Sequence, residues 1–211
     1  MNCPVCNHQN LPEFEKSGVD YHLCAVCDTC YSVALPNDNM VGGVAESERR
    51  NDNAERVRRF KLYGCDSLLD FGCGHGWLVE DAAFFHVESY GYDPYNPKFK
   101  ILPPKQVDVV SMVEVIEHMV APFFELNMVW DCLKPGGHVY IETSFTDIGK
   151  ELIGLFDHLG NHVSSLQDFF YISPQAGHST IFSHRSLDML MTAKGFTPKP
   201  HINPTVRIYQ K

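Results

Sequence analysis

The stretch that decides the fold is Ser67–Pro94, which reads SLLDFGCGHGWLVEDAAFFHVESYGYDP. It begins with an apolar run that ends at Asp70, passes through three alternating glycines and then shows a helical pattern from Trp77. A second short strand pattern follows and closes on Asp93. Strand, glycine turn, helix and strand within about thirty residues predict one βαβ unit of a parallel sheet.

The glycine turn has the features of a ligand-binding loop. Glycines let backbone N–H groups approach a ligand without a Cβ in the way, and they leave the N-terminus of the following helix open to an anionic group. A dinucleotide fingerprint would place a glycine three residues after Gly74, but Trp77 stands there. The turn alone is also compatible with an ordinary α/β domain.

The order D-x-G-x-G-x-G, with a second acid closing the next strand, resembles motif I and the ribose acid of class I S-adenosylmethionine-dependent methyltransferases. The resemblance implies that Asp70 meets the amino group of the cofactor's methionine portion, directly or through water. It also implies that the carboxypropyl arm lies along Gly72, Gly74 and Gly76. Asp93 would then accept hydrogen bonds from the ribose hydroxyls.

Two later segments resemble the same family. The run EVIEH, from Glu114 to His118, follows the strand pattern Val107–Val113 and is similar to a segment of many small-molecule methyltransferases. By this resemblance Glu114 borders the cofactor, and His118 orients the acceptor or acts as a base. Helix capping and a structural histidine are the open alternatives. The run LKPGG at 133–137 predicts a sharp turn into another strand.

The C-terminal third supplies a second candidate base, His178, for which a loop-bracing role is the alternative. Ser183 or Ser186 is expected to cap the next helix, and Gly195 to end it. The last two strand patterns, at 196–199 and 205–209, predict an antiparallel hairpin.

One segment departs from the family pattern. Only fourteen residues separate Asp93 from Asp108. A usual member places a helix, a strand and an acid near the adenine there. We therefore expect this segment to be shortened, and no adenine-binding acid is assigned.

The N-terminal cysteines form a pattern of their own. Two CxxC pairs, Cys3–Cys6 and Cys24–Cys27, are separated by seventeen residues, a spacing typical of a four-thiolate zinc site. Two such turns complete a closed tetrahedron, which is structural rather than catalytic. A zinc ribbon is therefore predicted, and a redox CxxC is the less favoured alternative because the motif is doubled. Spare donors are Cys30, His8 and His22.

The composition limits the number of domains and the kinds of partner that the chain can have. With 211 residues, 44% of them apolar, the chain can form one full domain and a small one. A net charge of −9 argues against a broad nucleic-acid-binding surface. No apolar run approaches the roughly 18 residues of a membrane span, and the start shows no secretory signal. The expectation is a cytoplasmic protein with no membrane partner.

The predicted fold is α/β: a Rossmann-like, mostly parallel sheet with helices on both faces and a C-terminal antiparallel hairpin, preceded by a small zinc ribbon. The predicted domains are a zinc ribbon at 1–35, a linker and covering helix at 36–64 and a methyltransferase domain at 65–211. The arginine-rich helix Glu46–Gly64 presents either a solvated face or a phosphate-contacting one.

The predicted activity is methyl transfer from S-adenosylmethionine to a small-molecule acceptor, with structural Zn²⁺ in the ribbon. A sugar or sugar nucleotide is the favoured acceptor, since some sugar methyltransferases place a zinc module ahead of the catalytic domain. Two alternatives stay open. One is an RNA or protein methyltransferase that uses the ribbon as a reader, and the other is a non-catalytic binding or scaffold protein that kept the fold.

Overall fold

The computed structural model describes residues 2–9, 13–32, 46–145, 176–200 and 203–211, so the predicted linker at 36–45 lies outside the described residues. The strands are β1 (Glu13–Lys16), β2 (Val19–Cys24), β3 (Thr29–Tyr31), β4 (Ser67–Phe71), β5 (Glu88–Tyr92), β6 (Val107–Val113), β7 (Leu133–Glu142), β8 (Thr180–Ile181), β9 (Thr197–Pro198) and β10 (Val206–Gln210). The α-helices of the described residues are α1 (Glu46–Leu62), α2 (Trp77–Phe84), α3 (Pro122–Cys132) and α4 (His184–Ala193).

The described residues fall into two compact units, which are treated separately below. The first unit comprises residues 2–9, 13–32, 116–125, 143–145 and 176–195. The second comprises residues 46–115, 126–142, 196–200 and 203–211. The domain boundaries predicted at 35 and 64 stay a prediction.

The second unit is built on a six-stranded sheet with the order β5-β4-β6-β7-β10-β9. The four strands from β5 to β7 are parallel, while β10 is antiparallel to both β7 and β9. This confirms the mostly parallel sheet and the C-terminal antiparallel hairpin. Because β5 and β6 lie on opposite sides of β4, the strand order reverses at β4, and open sheets of this kind bind ligands at the carboxyl ends of the strands beside such a point.

The central strands are apolar because both of their faces are covered. Leu68 and Leu69 of β4 are fully buried, as is Val110 of β6, which explains why these strands read as continuous apolar runs rather than alternating ones. Phe60 of α1 meets Tyr140 of β7 edge to face, with ring centroids 5.0 Å apart. The predicted covering helix thus packs on the sheet of its own unit.

The segment between β5 and β6 is short, as the sequence suggests. Its residues, all of them described, contain one 3₁₀ turn at Pro97–Phe99 and no strand. The ring of Phe99 packs against two glycines: a Cβ added to Gly76 would lie 2.5 Å from Phe99 Cζ, and one added to Gly91 would lie 2.8 Å from Phe99 Cδ1. Only glycine fits at either position without moving this ring.

The LKPGG run differs from its prediction. Instead of a separate turn, it is the bulged first half of β7: Val107 pairs with Leu133 and Val109 with His138, so β7 advances five positions while β6 advances two. Gly136 adopts φ +78° at the bulge, and its N–H donates to the carbonyl oxygen of Lys211 at 3.1 Å. Hydrogen bonds to the chain's last residues thus keep this segment in the sheet.

The first unit contains a four-stranded antiparallel sheet with the order β1-β2-β3-β8. Its fourth strand comes from far along the chain, because Cys30 pairs with Ile181 and Tyr31 with Thr180. Helix α4 follows directly and begins with the capping box that Ser183 and Ser186 form together. The N-cap prediction is therefore confirmed, with the two serines acting as a pair.

Candidate functional site

The glycine turn lies at the carboxyl end of β4, in the second unit. Gly72, Gly74 and Gly76 adopt φ of +79°, +53° and +83°, a region that residues with a side chain rarely enter. Gly72 has a second constraint, since a Cβ there would lie 2.4 Å from Val115 Cγ2. The N–H of Gly72 donates to the carbonyl oxygen of Tyr92 at 2.7 Å. The turn is therefore held between Tyr92 at the end of β5 and Val115, which lies two residues after the end of β6.

Asp70 lies near the end of β4 and is 5% exposed. Ser111 of β6 donates a hydrogen bond from Oγ to Asp70 Oδ1 at 2.7 Å. Burial raises the pKa of Asp70 to about 6, against the lowering effect of the Ser111 hydrogen bond. A carboxylate buried in this way gains from an ammonium partner, which is what the resemblance implies for this residue.

The Asp93 side chain accepts hydrogen bonds from backbone N–H groups of the glycine turn and of the turn that follows β5. Its Oδ2 accepts from Gly74 N at 2.8 Å, and its Oδ1 accepts from the N–H groups of Tyr95 at 2.8 Å and Asn96 at 3.1 Å. Asn96 also donates from Nδ2 to the carbonyl oxygen of Gly74 at 2.6 Å. A carboxylate has about four acceptor positions, so Asp93 retains capacity for the ribose hydroxyls that the resemblance assigns to it.

Glu114 follows β6 in a left-handed conformation with φ +55°. This region costs free energy for a residue other than glycine and is enriched at ligand sites. The Glu114 N–H donates to the carbonyl oxygen of Glu142 at 2.8 Å, which holds the backbone there. Because β4, β5 and β6 run parallel, the structure brings Asp70, Asp93 and Glu114 to the same edge of the sheet, together with the three glycines.

Within the second unit, a largely buried ion pair links helix α1 to strand β7 of the sheet. Arg56 donates from Nε and Nη2 to the two carboxylate oxygens of Glu142, at 2.8 and 2.6 Å, and Tyr140 donates to Glu142 Oε2 at 2.7 Å. Burial would raise the pKa of Glu142, but the hydrogen bonds from Arg56 and the positive charge of Arg56 outweigh it and lower that pKa. Glu142 is therefore ionised and paired at neutral pH.

The two candidate bases come together in the first unit. The rings of His118 and His178 meet edge to face, with centroids 5.1 Å apart. His118 Nδ1 lies 3.2 Å from the carbonyl oxygen of Gly177. Burial, reinforced by the neighbouring His178, lowers the pKa of His118 to about 4. His118 is thus neutral near pH 7, and an imidazole with so low a pKa is a weak general base.

The four predicted zinc ligands also come together in the first unit. Their sulfur atoms all lie within 4.8 Å of one another, and the Cys3–Cys27 and Cys6–Cys24 sulfur pairs are each 3.5 Å apart. Tetrahedral zinc with Zn–S bonds of about 2.3 Å places its sulfurs about 3.8 Å apart. The donor set and its spacing therefore fit a Zn²⁺ ion.

The two CxxC turns have the same backbone conformation. The residue after each second cysteine, Asn7 or Asp28, is left-handed, with φ of 60° and 62°. Each donates its N–H to the carbonyl oxygen of the first cysteine of its own turn, at 2.9 and 2.8 Å. Burial raises the pKa of the Cys6 thiol to about 11, so a cation is needed to hold this group as a thiolate near neutral pH.

Three neighbours of these sites were not predicted from the sequence. Ser111 contacts Asp70 from the neighbouring strand β6, and Asn96 contacts Gly74 from the turn that follows β5. Nothing in the local pattern marks either residue. Glu117 lies with His118 and His178 in a group whose donor atoms are within 4.8 Å of one another. The sequence offered Glu117 only as one of the two acids of the EVIEH run.

Comparison with known families identifies the class. The family model described as a methyltransferase domain matches residues 44–199, about three quarters of the chain. The chain belongs to this family and is a class I S-adenosylmethionine-dependent methyltransferase. A comparison with curated proteins found no match.

Solved structures share the fold at low sequence identity. A SAM-dependent methyltransferase from Archaeoglobus fulgidus is 20% identical with a TM-score of 0.51, covering 77% of this chain and 94% of its own. A 1,6-didemethyltoxoflavin N1-methyltransferase from Burkholderia thailandensis is 14% identical with a TM-score of 0.52, covering 96% and 99%. An O-methyltransferase family protein from the same organism is 13% identical with a TM-score of 0.55, and this chain matches 57% of it.

The helices show no membrane span: among the described ranges, none is both long enough and apolar enough to cross a bilayer.

Proposed function

We propose that this methyltransferase acts on a small-molecule acceptor rather than on RNA or protein. The observation that carries the proposal is the state of the arginines on α1, the helix on which the RNA alternative depends. Four of them are already paired with acids of the same unit. The pairs, with N–O distances, are Arg50–Asp81 at 2.6 Å, Arg56–Glu142 at 2.6 Å, Arg58–Glu55 at 3.8 Å and Arg59–Glu55 at 3.3 Å.

A polyanion needs several unpaired cations on one face, because each neutralised phosphate contributes to affinity through the counterions it releases. Arginines held by carboxylates supply little of this, and the whole chain carries a net charge of −9. The N1-methyltransferase of similar fold from Burkholderia thailandensis holds 1,6-didemethyltoxoflavin and S-adenosylhomocysteine, which agrees with a small acceptor. Nucleotide sugars are the first class of acceptor to screen, because some sugar methyltransferases place a zinc module ahead of the catalytic domain.

In this proposal the cofactor binds at the carboxyl edge of the parallel sheet. Asp70 pairs with its ammonium group, the glycine turn lies along its methionine arm and Asp93 accepts its ribose hydroxyls. Glu114 borders it. The protein's task is then to hold the nucleophile near the methyl carbon and to exclude water, while the sulfonium supplies the chemistry. His118 and His178 are the proposed acceptor-side residues.

We also propose that Cys3, Cys6, Cys24 and Cys27 hold one structural Zn²⁺. Four thiolates close the coordination shell, so the ion has no free position for a substrate. Its contribution is to the folding of the first unit's sheet.

The first test is calorimetric titration of the zinc-loaded protein with S-adenosylmethionine. Wild type is expected to bind in the micromolar range, and Asp93→Ala to lose at least tenfold in affinity. Asp66→Ala is the matched control, because the Asp66 side chain is 94% exposed and the substitution removes the same charge away from the glycine turn. Equal affinity of all three proteins would overturn the cofactor assignment.

The second test follows the label from methyl-labelled S-adenosylmethionine into three fractions: nucleotide sugars and other small metabolites, total RNA, and denatured protein. Label in the small-molecule fraction supports the proposal. Label in RNA or protein alone overturns it and favours the alternative in which the ribbon reads a macromolecule.

A further inference from the structure

We propose that Glu117, His118 and His178 bind one divalent first-row metal ion, at a site separate from the four cysteines, with open positions for further oxygen ligands. The three side chains offer one carboxylate oxygen and two imidazole nitrogens, all within 4.8 Å of one another. The metal itself can be tested without any acceptor.

The spacing suits an ion with metal–ligand bonds of about 2.1 Å. Such bonds place adjacent octahedral ligands about 3 Å apart and opposite ones about 4.2 Å apart. Donor atoms within 4.8 Å reach these distances by small side-chain rotations. Glu117 is 5% exposed, and a buried carboxylate is stabilised when a cation lies beside it.

The backbone that carries the three residues is tied together before any ion binds. Glu117 and His118 lie on the 3₁₀ turn Ile116–His118. Ser179 donates its N–H to the carbonyl oxygen of Glu117 at 2.8 Å, and Thr180 donates from Oγ1 to the carbonyl oxygen of Met119 at 2.7 Å. These bonds join the two segments on either side of the cluster, so the metal would organise few additional groups on binding.

Both histidines have supporting contacts. With its proton on Nδ1, His118 donates to the Gly177 carbonyl oxygen 3.2 Å away and leaves the Nε2 lone pair for a metal. The carbonyl oxygen of His178 accepts a hydrogen bond from the hydroxyl of Tyr21 at 2.8 Å. Tyr21 lies on β2 and is 1% exposed, so this anchor is rigid. Hydrogen bonds of this kind orient the residues that bind the metal in known metal sites.

The donor set also indicates the kind of metal. Two imidazoles and one carboxylate suit Mn²⁺, Fe²⁺, Co²⁺ or Zn²⁺, whereas four thiolates select zinc. Three protein ligands leave coordination positions open, unlike the closed thiolate tetrahedron. Open positions on such an ion favour oxygen ligands, so a small molecule with hydroxyl or carboxylate oxygens is expected to bind there.

The test adds Mn²⁺ to protein that already holds one Zn²⁺ per chain, and free Mn²⁺ is followed by electron paramagnetic resonance. Wild type is expected to bind one Mn²⁺ per chain. Glu117→Gln and His178→Ala are expected to weaken Mn²⁺ binding at least tenfold, a loss typical of removing a metal ligand or a residue that orients one. The matched control is His86→Asn, which removes an exposed imidazole in the second unit and keeps a residue that tolerates the left-handed φ of 58° there.

Zinc content and thermal unfolding of each variant show that the fold is intact. His178→Ala serves if the buried Glu117→Gln fails to fold. Substituted Co²⁺ gives a second readout, because a nitrogen–oxygen site lacks the sulfur-to-cobalt charge-transfer band of the cysteine site. No binding of Mn²⁺ or Co²⁺ by wild type beyond the zinc, or binding unchanged in both variants, would overturn the proposal. A wild type that binds no second metal yet methylates small molecules would leave the proposed function standing.

Discussion

At the scale of single residues, we expect the charge of Asp70 to have opposite effects on folding and on cofactor binding. Its pKa is about 6 in the folded protein, against 3.8 ordinarily, so the unfolded chain releases this proton first as pH rises. The free energy of unfolding of the cofactor-free protein should therefore fall between about pH 4 and pH 6. We expect Asp70→Asn to stabilise the cofactor-free protein by about 1 to 3 kcal/mol at neutral pH, measured by urea unfolding.

In the proposed cofactor site, binding needs the ionised form of the same residue. The affinity of wild type for S-adenosylmethionine should rise as pH increases through about 6, because the carboxylate then pairs with the ammonium group. Asp70→Asn should bind about 10 to 100 times more weakly near neutral pH and show a flatter pH profile. Calorimetry between about pH 5 and pH 8 measures both properties. A variant with wild-type affinity and profile would contradict the role given to Asp70.

Gly72 and Gly74 offer a matched pair of substitutions. Both have positive φ, but a Cβ on Gly72 would lie 2.4 Å from Val115 Cγ2, whereas one on Gly74 would meet nothing within 4 Å. Gly72→Ala should therefore lower the free energy of unfolding by about 2 to 4 kcal/mol, and Gly74→Ala by only about 1 kcal/mol of backbone strain. Thermal unfolding compares them. Equal losses would mean that backbone conformation, and not the Val115 contact, limits this turn.

The sequence predicted the acids and glycines of this turn because a local pattern carries them. It could not predict Ser111 or Asn96, whose contacts with Asp70 and Gly74 arise from strand order and from a turn that folds back. It also could not show that Glu114 adopts φ +55°, since its neighbours in the chain read as an ordinary strand and helix start.

At the scale of elements, helix α1 is held to its sheet by apolar packing of Phe60 and by a charge pair between Arg56 and Glu142. Arg56→Met should destabilise the protein by about 3 to 5 kcal/mol, because it leaves Glu142 ionised in a largely buried position. Arg58→Met on the same helix should change stability by less than about 0.5 kcal/mol, since the Arg58 side chain is 66% exposed. Urea unfolding measures both.

The double variant Arg56→Met, Glu142→Gln separates charge from packing. It should recover part of the loss, because the uncompensated carboxylate is gone. A double variant less stable than Arg56→Met alone would show that Tyr140 and the remaining contacts of Glu142, rather than its charge, hold this helix to the sheet.

The bulged start of β7 shows where element prediction from sequence ends. LKPGG favours a turn, and Gly136 does adopt φ +78°. The pairing that keeps these residues in the sheet comes from Lys211, whose N–H donates to the Gly137 carbonyl oxygen at 2.9 Å. A partner 74 positions away in the chain leaves no trace in the local pattern.

At the scale of the whole molecule, metal removal should affect the two units differently. Chelation should abolish the four-stranded sheet, because the thiol cluster joins the turns beside β1, β2 and β3. Amide hydrogen exchange should then speed up at Thr180 and Ile181 of β8, while Leu69 and Val110 of the six-stranded sheet stay protected. Loss of protection in both sheets at the same chelator concentration would show one cooperative unit instead.

Cysteine variants give the control for this experiment. Cys24→Ser should lower the bound zinc below one ion per chain, as measured by atomic emission. Cys132→Ser, which removes a buried thiol of the second unit, should leave the zinc content unchanged. Loss of zinc in Cys132→Ser would contradict the assignment of the ligands.

The parallel sheet, its hairpin and the cysteine group followed from sequence because each rests on periodicity or on fixed spacing. The participation of β8 in the four-stranded sheet did not, since Thr180 and Ile181 form only a two-residue strand with no pattern of its own. Pairing between residues about 150 positions apart is decided by tertiary packing, which single-sequence reasoning does not reach.

That late fourth strand sets an order of events during synthesis. Residues 3–30 leave the ribosome and can capture zinc early, but their sheet lacks an edge partner until residues 180–181 have been made, roughly 8 to 30 s later at ordinary elongation rates. Over that interval β3 presents an unpaired edge, which is a surface for aggregation or chaperone binding. Residues 3–30 are thus translated before residues 180–181, but their sheet is completed only after them.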